Sequence, residues 1–206
     1  KRGVAMRARS IGITIALGVL AAVASGSTQL PQQVTNTLTS IDTVPTRQQL
    51  DSAFDNSPAM ALENLASLAT DPDPSADVGI RLRAIHALAK YCSSTPCADT
   101  DVAHQSLTSV IQANTTESSG SPLLVLRAAI ETLGTMRISS DVSLLLPLLD
   151  HPSRDIRAST AHALLDLCNT QAIAPLSVRL SQEPTLQVKL AISEALRILG
   201  QCSANP

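Results

Sequence analysis

The 206-residue chain has almost no aromatic side chains: Phe54 and Tyr91 are the only two, and Trp is missing. A core built from it must be filled by Leu, Ile, Val and Ala. Such side chains suit close helix–helix packing better than a β-sandwich, which leans on aromatic and β-branched residues. A dominant charge is missing as well. The formal net charge is −2 and both signs are scattered, so no basic stripe argues for nucleic acid and no acidic tail for a cation sink. The longest apolar run falls short of the roughly 20 residues that a membrane span requires. Catalytic templates are also lacking: the chain has no GxSxG elbow, no phosphate-cradling glycine loop, no HExxH and no Cys beside an obvious His partner. These absences leave no catalytic residue to name, and no cofactor or metal set.

What is present begins with an address. Lys1, Arg2, Arg7 and Arg9 precede an uncharged run of 14 residues, Ile11 to Ala24, which ends in the small-x-small sequence Ala22-Val23-Ala24 before Ser25. Residues 1–24 are expected to be a signal peptide, with a retained N-terminal anchor as the alternative. The protein is then expected to be periplasmic or secreted, or tethered to the inner membrane, and to meet a membrane only through residues 1–24 if these are not cut. Residues 25–45 are rich in Ser, Thr, Gln and Pro and are expected to be a flexible linker. The cysteines are Cys92, Cys97, Cys168 and Cys202. An even number in an oxidising compartment suggests two disulfides; zinc is the alternative, without a paired CxxC to support it.

From residue 46 to residue 206 one folded domain is expected. Leu50 and Phe54 stand at i, i+4 in a short helix, and Ser57-Pro58 reads as an N-cap and first helical residue. Shorter and longer helical stretches then alternate. Four long stretches carry one apolar stripe at offsets 0, 4, 7, 8 and 11: Ile80, Ala84, Ala87, Leu88, Tyr91; Val125, Ala129, Thr132, Leu133, Met136; Ile156, Thr160, Ala163, Leu164, Leu167; and Val188, Ile192, Ala195, Leu196, Leu199. This is one face of a 3.6-residue helix. The copies start at 80, 125, 156 and 188, so they are spaced by 45, 31 and 32 residues. A period near 31 built from helix pairs signals an α-solenoid, because one amphipathic pair buries its stripe only against its neighbours. Pro147 and Pro175 fall in the short stretches and are expected to bend them.

The segments DHPSRDIRASTAHALLDL and QEPTLQVKLAISEALRILG resemble the second helices of HEAT repeats, in a short-period bacterial variety similar to phycobilin-lyase-like repeats. VGIRLRAIHALAKY fits well and SPLLVLRAAIETLGTM less so, because Leu126 occupies the usual basic position. The resemblance covers residues 57–200 and implies an all-α, right-handed α-solenoid of about four HEAT-like helix pairs. It further implies an inter-repeat ladder of basic and acidic residues at Arg81, Asp150, Arg157 and Lys189.

Cys168 and Cys202 each follow a long helix in adjacent repeats, so stacking is expected to join them. Cys92 and Cys97 are expected to close a local loop. His86 and His162 stand at equivalent positions a whole repeat apart, which disfavours a shared metal, and His104 and His151 are expected on a helix surface or in a loop. The last helix pair is expected to cap the stack. The function expected is a protein–protein scaffold, its concave face presenting Arg83, Glu131, His162, Glu194 and Arg197 to a protein partner. The other readings are a lyase-type or accessory enzyme component, or a membrane-anchored structural subunit of an envelope assembly.

Overall fold

The computed structural model describes residues 32–39, 45–73, 77–94, 97–98 and 100–202. The expected signal segment lies outside the described residues. Helix α1 (Gln32–Thr39) falls inside the stretch expected to be a flexible linker. That expectation fails there for a physical reason: Val34 and Leu38, one turn apart, are fully buried in the core, and two buried aliphatics suffice to dock a short polar helix. Helix α2 (Arg47–Ala53) starts from a capping box in which Thr46 and Gln49 exchange bonds, and it buries Leu50. Asp55 and Asn56, both at positive φ (55° and 57°), then turn the chain.

Four helix pairs follow. Helices α3 (Pro58–Thr70) and α4 (Val78–Leu88) form the first, with a 3-10 turn at Ala89–Tyr91 extending α4. Ser57 caps α3 through Met60 N at 3.3 Å, with Pro58 in the first turn. Asp77 caps α4 through Gly79 N and Ile80 N. The second pair is α5 (Val102–Asn114) and α6 (Gly120–Met136). The third is α7 (Val142–Leu145), continued as a 3-10 turn from Leu146 to Asp150, with α8 (Arg154–Asp166). The fourth is α9 (Ile173–Gln182) and α10 (Leu186–Cys202).

Helix α7 gives way to the tighter turn where Pro147 removes a backbone donor, as expected. Pro175 does not bend α9, because it stands in the first turn, where the missing N–H has no partner to lose.

The long helices α4, α6, α8 and α10 pack in sequence, each on the next, with α3 and α5 side by side behind the first two. The offset pattern accounts for this layer. All the stripe residues are buried except Ile80 and Leu196, which are half-buried. Close approach is allowed at Gly134, where an added Cβ would sit 2.9 Å from the Cα of Ala163 on α8. At the N-terminal end α1 and α2 pack on the first pair. Tyr91 joins them: its hydroxyl donates to Asp51 Oδ1 at 2.7 Å, and Arg47 stacks 5.0 Å above its ring.

At the other end, positions of α8 that α10 covers have bare equivalents on α10. Arg157 and Ala158 are buried, whereas Lys189 and Leu190, 32 residues on, are exposed. Ser177 and Ser181 are exposed where the preceding pair has buried Leu145 and Leu149, and Val178, Leu186 and Leu190 of the last pair are exposed as well.

Candidate interaction face and inter-repeat ladder

One column of side chains runs across the exposed edge of the long-helix layer. At the sixth position after each stripe start stand His86, Glu131, His162 and Glu194, one per helix, alternating base and acid. His86 Nδ1 lies 3.0 Å from Thr132 Oγ1, whose hydroxyl donates to Ala128 O; the His86 ring is then the donor. Partial burial pushes His86 below its ordinary pKa, and the Glu131 carboxylate opposes that shift. Glu131 accepts from Arg127 Nε at 2.7 Å and from Ser159 Oγ at 3.0 Å, which ties α6 to α8 and raises the Arg127 pKa. His162 and Glu194 line a groove of about 220 Å³ between α8 and α10, floored by Ala158 and Ala191 and edged by Gln187 and Leu190. Arg197 reaches Glu194 at 3.2 Å.

Of the five residues expected on this face, the structure brings His162 and Glu194 to one groove, bonds Arg197 to Glu194, and places Glu131 one junction away. Arg83 sits apart, half-buried on α4. Arg127 and Leu190 belong to the face and were not expected there; His86 joins it at the position equivalent to His162. The offset that selects Glu131, His162 and Glu194 also selects His86.

The ladder forms at one junction and with a different acid than expected. Arg157 is buried and donates from Nε and Nη2 to the two oxygens of Glu183, both at 2.8 Å, and from Nη1 to the carbonyls of His151 and Pro152. Glu183 also accepts from Thr185 N at the start of α10 and from Arg179. The Arg157 guanidinium holds the Glu183 carboxyl far below its ordinary pKa. Asp150 is exposed and meets Arg179 at 3.0 Å instead of Arg157, because its turn points it to the surface.

The rule behind the rung is positional. At the third junction the residue after one stripe start meets the residue five before the next. Across the four pairs this matches Arg81 with Gly120, Leu126 with His151, and Arg157 with Glu183, and leaves Lys189 exposed. Burial drives the His151 pKa down. His151 is buried, not on a surface; its Nδ1 accepts from Ser153 N at 3.1 Å.

His104 is likewise not a surface residue. It is buried, and its Nε2 lies 2.9 Å from Asp141 Oδ1, a hydrogen bond joining α5 to the turn before α7. The partners are 37 residues apart, so no local pattern announces them.

Both cysteine pairs stand as expected, Cys92 with Cys97 (Cα–Cα 5.0 Å) and Cys168 with Cys202 (5.8 Å). Cys168 takes a left-handed φ of 52° just past α8, where glycine is usual. Cys92, Cys97 and Asp101 offer three donor atoms within 4.8 Å, but sulfurs facing each other for a disulfide leave no thiolate for zinc. Asp101 instead binds the loop, accepting from Ser93 N and Ala98 N, and the Ser93 backbone bond leads the causes that lower its pKa.

Residues 113–197, from the end of α5 into α10, match the family model for HEAT repeats. Residues 113–197 are HEAT repeats. No curated protein matches it. The first helix pair, outside the matched segment, uses the same stripe offsets and packs on the second. Among the described residues no helix is long and apolar enough to cross a membrane.

Proposed function

We propose that this HEAT-repeat protein is an exported scaffold that binds a protein partner along the edge of α4, α6, α8 and α10. The observation that carries the reading is the alternating column His86, Glu131, His162 and Glu194, with an open groove at its far end. Acid and base on alternate helices present matched donors and acceptors to a polar chain laid across the helices. Leu190, 63% exposed at the groove's edge, adds an apolar anchor. With no aromatic on this face, affinity comes from many modest contacts. Export is supported by the basic-then-apolar residues 1–24 and by the two cysteine pairs.

The test compares capture by the wild-type chain with capture by His162→Ala/Glu194→Arg and by Gln112→Ala on the exposed side of α5. The reading requires a partner retained by wild type and Gln112→Ala and lost with the double variant. Equal capture by all three, or small-molecule turnover by the purified protein, overturns it. Recovery outside the cytoplasm with an N-terminus at Ser25 would establish export; full-length protein in the cytoplasm would refute it.

A further inference from the structure

The unfilled rung between the first and second pairs leads to a specific site. At the third junction Arg157 is satisfied by Glu183, which also takes the N–H of Thr185 in the turn leading into α10. At the first junction the matching basic residue is Arg81, but the position that supplies the acid is Gly120. Gly120 has a left-handed φ of 70°, which suits glycine and not a carboxylate-bearing side chain. Where the acid would lie there is a cavity of about 300 Å³, lined by Arg81, Thr70, Asn114, Ser121 and the rim residue Asp73, over apolar walls such as Val125.

Arg81 is committed at one nitrogen only: its Nε donates to Ala69 O at 3.1 Å. Its two terminal nitrogens have no acceptor among the described residues, although the guanidinium is half-buried. Burial lowers its pKa and Asp71 opposes the shift. A half-buried guanidinium that lines a cavity is suited to bidentate recognition of a carboxylate. At the first turn of α6, Ser119 makes no side-chain cap bond, so that end keeps donors free for the same anion.

We propose that this cavity binds a carboxylate, taking in trans the group that Glu183 supplies in cis at the third junction. The cavity admits a side-chain-sized acid, and Asp73, exposed at the rim, favours a ligand of one negative charge over a phosphate. The site stands on its own geometry. Only the source of the carboxylate, an acidic side chain of the bound partner, rests on the scaffold reading.

The experiment titrates the full chain with acetate, with inorganic phosphate, and with a capped glutamate peptide, at fixed ionic strength, while following the Arg81 Nε–H and Ser121 N–H resonances. The expected result is saturable shifts at both with acetate and the peptide and weaker binding of phosphate. Arg81→Gln should weaken carboxylate binding about tenfold or more, the scale of lost charge-assisted bonds. Arg157→Gln, if folded, should leave the shifts in place. Tighter binding of the peptide than of acetate assigns the source to a partner; equal binding keeps the site but removes that assignment. Non-saturable shifts, shifts unchanged in Arg81→Gln, or tighter phosphate binding overturn the proposal. Equal capture by wild type and both capture variants, with these shifts intact, would count against the scaffold reading and not against the site.

Discussion

Replacing Glu183 with Ala tests the physical basis of the third junction. The side chain is fully buried, and Arg157 beside it is 8% exposed. Removing the acid strands a buried guanidinium that keeps only the carbonyls of His151 and Pro152. Breaking a buried pair in this way costs about 3–5 kcal/mol. For a domain of this size each kcal/mol moves Tm by roughly 2–4 °C, so the expected fall is roughly 6–20 °C by calorimetry or circular dichroism. The double variant Arg157→Leu/Glu183→Leu should recover most of the loss, since an apolar pair of similar volume often serves as well and Leu126 already fills the matching position one junction earlier.

The pH dependence has a definite sign. The folded carboxyl is held far below its ordinary value of 4.5. Its contribution is therefore complete above that value and declines as pH falls below it, where the unfolded chain takes up the proton that the folded one resists. Wild-type Tm should drop more steeply below pH 4.5 than that of Glu183→Gln. A Glu183→Ala variant within about 2 °C of wild type, where a lost kcal/mol moves Tm by that much, would sink the argument. So would a double variant less stable than the single one.

Three further outcomes follow from the packing. The unreduced protein should show no alkylatable thiol by mass spectrometry, and free thiols at all four cysteines would reject both pairings. Cys202→Ser should cost about 3–4 kcal/mol from the loss of a bridge closing a loop with 34 residues' separation, whereas Cys97→Ser, closing only 5, should cost about 2. Gly134→Ala gains about 1 kcal/mol of helix propensity but drives its Cβ into the Ala163 backbone at 2.9 Å. Overpacking of about 1–3 kcal/mol should win, so the urea midpoint falls; a rise would show that α6 and α8 can separate.

The four stripes were legible because a buried helix face is a local pattern: Ile156, Thr160, Ala163, Leu164 and Leu167 repeat it with every member inside. Caps were legible for the same reason, as at Ser57 and Pro58. Helix α1 was not, since Gln32–Thr39 is polar apart from the two residues that dock it. Glu183 was missed because its partner lies 26 residues back and the pairing emerges only when residues five before each stripe start are lined up. His104 was misread because burial of a histidine is decided by where Asp141 arrives in space.

The rungs differ at every junction, and that has a consequence for how the units can be ordered. A stack with identical interfaces tolerates a skipped or repeated unit. Here, bypassing the third pair would set Leu126 against Glu183 and leave that buried carboxylate only Arg179 of its own pair. Duplicating it would set Arg157 against His151, a cation facing an imidazole. Each error strips a buried charge of its partner across the junction, so the rungs proofread the sequence of assembly, and the pairs are not interchangeable parts even though their apolar stripes are.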